Sequence, residues 1–147
     1  DYQCHFCNVY FQDTEHEIIK NYVDTGKVKI LFKDFTIIGP DSVSASHIAH
    51  CASEQGKFWE YLDLIFKDQK ASLYPARQRQ LTQQVDINYS LLNQCINSGK
   101  GAKIVEKDVE IGKRLGIQGT PAIFVNNKVM KKAPSKAEII KLLNQKS

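Results

Sequence analysis

Apolar positions recur at helical spacing through most of this chain and change period only near its two ends. Ile18, Ile19, Tyr22 and Val23 predict a helix over about 8–25, with Gly26 placed for a left-handed C-cap. Residues 27–35 then alternate polar and apolar before turning apolar, which predicts a strand. A loop, Ile38-Gly39-Pro40-Asp41-Ser42, leads to helices over about 43–54 and 57–68. In the second of these, Phe58, Leu62, Ile65 and Phe66 mark one face, and Trp59, Phe58 and Phe66 are assigned to core. The polar stretch 70–84 reads as loop and a short helix. Further helices are predicted over 89–97, with Leu91, Leu92, Cys95 and Ile96 inward, and over about 102–115 before Gly116.

The period changes again after Gly119-Thr120-Pro121, a turn signal. Ala122-Ile123-Phe124-Val125 is a short apolar run that fits a buried strand, Asn126-Asn127 a tight turn, and Val129-Met130 a returning strand. Ser135 and Glu138 form a capping box ahead of a last helix that buries Ile139, Ile140, Leu142 and Leu143. The order is helix, strand, helical block, hairpin, helix.

Length and composition, 147 residues and 42% hydrophobic, fit one domain with its own core. The net charge of +4 is carried by scattered lysines, which argues for a soluble protein and against a nucleic-acid face. No apolar run approaches the roughly 20 residues of a membrane span. No signal peptide is evident, so the expectation is a mature or trimmed chain.

Cysteine usage changes the picture most. Cys4-His5-Phe6-Cys7 places a Cys-x-x-Cys pair at a predicted helix N-terminus, where unpaired N–H groups favour a thiolate. Cys4 is expected to be the exposed, low-pKa nucleophile, with Cys7 one turn on to resolve a mixed disulfide. Half of a zinc knuckle has the same spacing, and His47, His50 and Cys51 fall on adjacent turns of one helix. Cys51 and Cys95 lack knuckle spacing, however, so no metal and no cofactor is expected, and His47 and His50 read as ordinary polar positions. Cys51 and Cys95 are either two buried thiols or a bridge. Both lie on helices of one block, and a structural disulfide is the expectation. His5 is read as a donor or positive charge near the Cys4 sulfur, against a merely exposed side chain, and Phe6 as substrate-facing surface. Asn88-Tyr89-Ser90 matches a glycosylation acceptor of a kind that arises often by chance. There is no phosphate loop, no serine or carboxylate dyad and no basic-aromatic patch.

Three stretches together resemble the DsbA-type branch of the thioredoxin superfamily. They are Asp1-Tyr2-Gln3-Cys4-His5-Phe6-Cys7, Glu54-Gln55-Gly56-Lys57-Phe58-Trp59-Glu60-Tyr61 and Leu115-Gly116-Ile117-Gln118-Gly119-Thr120-Pro121-Ala122. The resemblance implies an α/β fold, a thioredoxin core over 1–37 and 117–147 with a helical insertion at about 41–116. A strand ahead of Cys4 is expected to precede the quoted chain and to carry the buried acid that assists proton transfer in relatives. The activity implied is thiol–disulfide exchange outside the cytoplasm, in the periplasm, at the cell surface or secreted, with a membrane tether outside this sequence as one option. Cys4 carries over as nucleophile, Cys7 as resolving cysteine, and Pro121 as the cis-proline facing the pair. The Thr120 backbone would pair with an extended substrate. Implied partners are cysteine-containing proteins or peptides and a redox protein that resets the pair, with no nucleic acid and no stable membrane insertion. Oxidase is the leading direction. Isomerase or reductase on the same fold, or a non-enzymatic chaperone module, are the alternatives. The intervening His5-Phe6 differs from the proline-histidine pair of the best-known oxidants.

Overall fold

The computed structural model describes residues 1–130 and 134–145 of the chain. They fall into two compact units: a helical unit of Asp1–Gln3 and Lys33–Gln118, and a cysteine unit of Cys4–Phe32 and Gly119–Ser147.

The cysteine unit begins with helix α1, His5–Tyr10. It continues through a π-helical turn at Phe11–Glu15, the short α2 at His16–Ile18 and a second π-helical turn at Ile19–Val23. No proline or glycine interrupts 5–25, so nothing local stops the helix. Gly26 stops it: its φ of +72° suits a residue without Cβ, and its N–H donates to the Val23 carbonyl at 2.9 Å. Strands β1, Phe124–Val125, and β2, Lys128–Val129, pair antiparallel with Phe124 opposite Val129. Asn126 and Asn127 both take positive φ, the type I′ geometry that asparagine tolerates. Helix α9, Lys136–Leu143, starts from the predicted capping box, with the Ser135 hydroxyl taking the Glu138 N–H and the Glu138 carboxylate taking the Ser135 N–H. Ile18, Val125 and Ile139 form the core, flanked by Tyr10, Ile30, Ile123, Met130, Leu142 and Leu143.

The helical unit is built on α3, Pro40–Ser53. Against it pack α4 (Phe58–Lys67), α6 (Pro75–Thr82), α7 (Tyr89–Asn97) and α8 (Lys100–Arg114), while α5 (Gln69–Ser72) lies against α4 and α6. Small buried residues on α3 (Ser42, Ala45, Ser46, Ala49 and Ala52) make close packing possible. A close approach is at Gly101 of α8, where an added Cβ would lie 2.6 Å from the His47 carbonyl oxygen. Residues ahead of Cys4 are tied into this unit. The Asp1 carboxylate accepts the N–H groups of Ile37 and Ile38 at 2.8 and 3.0 Å, and the Ser42 hydroxyl also donates to it. Gln3 Oε1 accepts the Ser42 N–H at 3.0 Å, supplying the first-turn cap that Gly39 cannot.

Several expectations change. Residues 27–35 keep the predicted alternation, with Val28, Ile30 and Phe32 half-buried and Lys27, Lys29 and Lys33 exposed. Yet no strand is assigned there among the described residues, because alternation sets the side-chain faces but a strand also needs a ladder partner. Phe124 is 41% exposed while Val125 is buried, so β1 has one open face rather than two buried ones. Trp59 and Leu91 are exposed. On α4 the buried arc is Tyr61, Leu62, Ile65 and Phe66, and at about 100° per residue Trp59 falls roughly a quarter turn from its middle. Stretch 70–84 is mostly helical, since Pro75 opens α6 at a position that needs no N–H donor.

Candidate active site

Cys4 is the N-cap of α1, with extended backbone and its Sγ accepting the Cys7 N–H at 3.3 Å. The sulfur takes the place a serine or aspartate oxygen usually holds, so a first-turn donor of the helix points at it. From the other end of the chain comes Thr120. The Thr120–Pro121 peptide bond is cis, as expected, and the Thr120 carbonyl accepts the Cys4 thiol hydrogen at an S–O distance of 3.2 Å. The pair is in its dithiol form.

The two thiols differ in chemistry. Burial alone would push the Cys4 thiol up. Hydrogen bonds from the Thr120 side chain and from the N–H and thiol of Cys7 favour the thiolate more strongly, and the thiol settles below its ordinary value. At Cys7 burial wins and pushes the thiol up to about 11, with Cys4 adding in the same direction. Exposure does not separate them, at 6% for Cys4 and 8% for Cys7, so Cys4 is not the more exposed thiol expected. What does separate them is the set of donors each sulfur meets.

His5 is exposed, its ring 5.5 Å from that of Phe6. Phe6 is 62% exposed and Val9 on the next turn 41%. These two, with Tyr10, Asp13, Pro121 and Ile123, line a groove of about 400 Å³ together with Ser135 and Lys136. Lys136 is paired with Glu17 at 2.7 Å. Nothing in the spacing of Asp13 singled it out, because membership of the groove depends on the hairpin and α9 folding beside α1.

Cys51 on α3 and Cys95 on α7 are joined, with Cα atoms 5.7 Å apart. That removes Cys51 from any metal site. His50 is more than a polar surface position: its Nε2 lies 2.7 Å from the buried Asp34 carboxylate. Asp108 takes the Asp34 N–H and, at 2.7 Å, the Lys33 ammonium. The donor atoms of Asp34, His50 and Asp108 lie within 4.8 Å of one another, and among the described residues this is the group that could hold a metal ion. Its carboxylates already have the Lys33 ammonium and the His50 ring as partners. Sequence reading missed the cluster because Asp34, His50 and Asp108 are far apart in the chain and share no motif.

The sequence matches the thioredoxin family over residues 1–145. Disulfide bond formation protein D of Bacillus subtilis is 30% identical over 142 residues, covering 89% of this chain and 62% of that protein, so the chain spans less than two thirds of this relative. The oxidised crystal structure of BdbD from Bacillus subtilis superposes with a TM-score of 0.85 at 28% identity, over 99% of this chain and 84% of that one. A thiol-disulfide exchange protein of Wolbachia pipientis gives a TM-score of 0.75 over 98% of this chain and 76% of its own, and at 21% identity it speaks to fold alone. The architecture is thus thioredoxin-like with a helical insertion, of the DsbA type.

Proposed function

Because the chain belongs to the thioredoxin family, we propose that it is a protein thiol–disulfide oxidoreductase that introduces or exchanges disulfides in substrates outside the cytoplasm. The observation that carries this is the asymmetry of the pair: a Cys4 thiol held low beside Thr120 and a Cys7 thiol pushed to about 11. The redox core, 1–37 and 117–147, performs the exchange, with the helical block at about 41–116 inserted in it.

In the oxidising direction the Cys4–Cys7 disulfide is the starting point. A substrate thiolate attacks the Cys4 sulfur, forming a mixed disulfide and releasing Cys7, which takes up a proton because its thiol is the more basic. A second substrate thiolate then attacks the substrate sulfur of that mixed disulfide. The substrate leaves with a new disulfide, two electrons stay on the enzyme, and Cys4 departs as a thiolate. A leaving thiol of low pKa departs faster, and stabilising the reduced form makes the pair more oxidising. The low Cys4 value therefore supports oxidase over reductase. A redox partner must then withdraw the two electrons to restore the disulfide. Thr120 fits the substrate-pairing role, since Cys4 has no proton to donate as thiolate or disulfide and the Thr120 carbonyl is then open to a substrate N–H. The extracytoplasmic setting draws on the Cys51–Cys95 bridge, of a kind that persists in oxidising compartments, and on the bacterial relative named for disulfide bond formation.

Oxidation of a reduced dicysteine peptide by the disulfide form tests the reading. Cys4→Ser should abolish turnover, a loss of at least about a thousandfold for removal of a nucleophile. Undiminished turnover in that variant would exclude the assignment.

A further inference from the structure

The helical unit holds a cavity of about 320 Å³ lined from α3, α6 and α7. Val43, Ile48 and Ile96 give it an apolar wall, and its polar side chains are Ser44, His47 and Arg79. No carboxylate lines it among the described residues.

The polar groups differ in what they leave for a ligand. The Ser44 hydroxyl gives its hydrogen to Gln78 Oε1 at 2.7 Å, so it can only accept. The Arg79 guanidinium has no ion pair and no side-chain hydrogen bond among the described residues. The His47 ring likewise has no hydrogen bond. Burial holds that ring below its ordinary value, against the pull of Asp34 and Glu106, so it is neutral at pH 7 and keeps one N–H to donate. Neither of those two carboxylates lines the cavity. Helix α6 adds to the positive charge. It carries Arg77 and Arg79 and no acidic residue. Pro75, its first residue, lines the cavity, and no side chain caps the helix there. The positive end of its dipole therefore lies at the cavity wall.

Unpartnered donors and one full positive charge select an acceptor-rich anion, while the apolar wall selects carbon. A bare inorganic anion would leave Val43, Ile48 and Ile96 wet. A neutral hydrocarbon would leave Arg79 without a partner. The volume is at the small end of the range of about 300–1,000 Å³ for ligand pockets. We propose that this cavity binds a small apolar monocarboxylate, with the carboxylate on Arg79 and the carbon body against the wall from α3 and α7. The site is separate from the exchange chemistry at Cys4 and does not depend on the direction of that exchange.

The test titrates the full chain, in its disulfide form, with octanoate and with its neutral counterpart octanamide, followed by NMR of assigned amide and methyl signals. Octanoate should shift Val43, Ile48 and Ile96 saturably, with a Kd on the order of 1 mM. Octanamide should bind the same residues about two- to fivefold more weakly, the factor a single partly exposed ion pair supports. Arg79→Gln should bring octanoate down to the level of octanamide and leave octanamide unchanged, and Arg79→Lys should restore the preference. Arg79 is exposed, so these variants leave the packing of α6 intact. Equal affinity of the two probes in the wild type, a preference that survives Arg79→Gln, or shifts that spare Ile48 and Ile96 would overturn the inference.

Discussion

The helical unit and the cysteine unit hold two cysteine pairs by opposite means. In the helical unit Cys51 and Cys95 sit on packed helices, 1% and 7% exposed, and close into a bridge across 44 positions of sequence. Elsewhere in that unit buried Gln78 donates to the Asp41 and Leu73 carbonyls and accepts from Ser44. In the cysteine unit the pair is three residues apart, its sulfurs meet directed donors, and the unit's buried core rests on Ile18, Val125 and Ile139. Phe6, Val9, Phe124 and Val129 stay exposed there. The difference teaches that burial alone does not decide what a cysteine does. All four are buried, yet the thiol pKa is lowered at Cys4, which caps a helix, and raised at Cys7.

The largest expected effect comes from removing the structural bridge. Cys51→Ala with Cys95→Ala opens a loop with ends 44 positions apart, which costs about 4 kcal/mol in the chain-entropy account. For a chain of this size the melting temperature should drop by about 10 °C. Thermal unfolding followed beside the Cys4 exchange rate checks this, and the rate should hold. A variant that melts normally but exchanges slowly would collapse the contrast between the two pairs.

Alkaline pH sharpens the contrast from the other side. Folded Cys7 keeps its proton up to about 11, whereas in the unfolded chain it ionises near the ordinary thiol value. Between those values the unfolded state gains ionisation free energy that the folded dithiol form does not, so stability falls as pH rises. Cys4 acts in the opposite sense, but its contribution is complete once pH passes the unfolded value. The dithiol form should therefore lose about 3 kcal/mol between pH about 8.5 and about 11 relative to the disulfide form. Denaturant titrations of both forms measure it, and the difference between forms cancels the tyrosines and lysines that titrate in the same range.

The smallest effect is at the start of α9. Ser135→Ala removes one half of the capping box and should cost about 1 kcal/mol. Urea unfolding would register it as a lowered midpoint at unchanged slope.

Most helices were legible because their signals are local. Tyr89–Asn97 begins at the Asn88 cap and ends at Ser98-Gly99 where the sequence places it, and Ser135 with Glu138 announces α9. The Cys-x-x-Cys motif and Thr120-Pro121 marked the site in the same way. What stayed hidden depends on partners distant in sequence. Among the described residues no ladder accompanies the alternation of 27–35, since pairing is a property of two segments. The Asp34–His50–Asp108 cluster and the groove position of Asp13 likewise exist only once the chain has folded. The exposure of Trp59 was missed because helical spacing gives a face but not how wide the buried arc will be.

The central claim is that Cys4, and not Cys7, is the thiol of this pair whose pKa lies below its ordinary value. Alkylation of the dithiol form by iodoacetamide, followed by mass spectrometry of each cysteine as a function of pH, tests it directly. Cys4 should be labelled first, with a midpoint below the ordinary thiol value of about 8.5, and Cys7 should resist until pH approaches 11. Equal labelling of the two, or Cys7 reacting first below pH 8, would contradict the account.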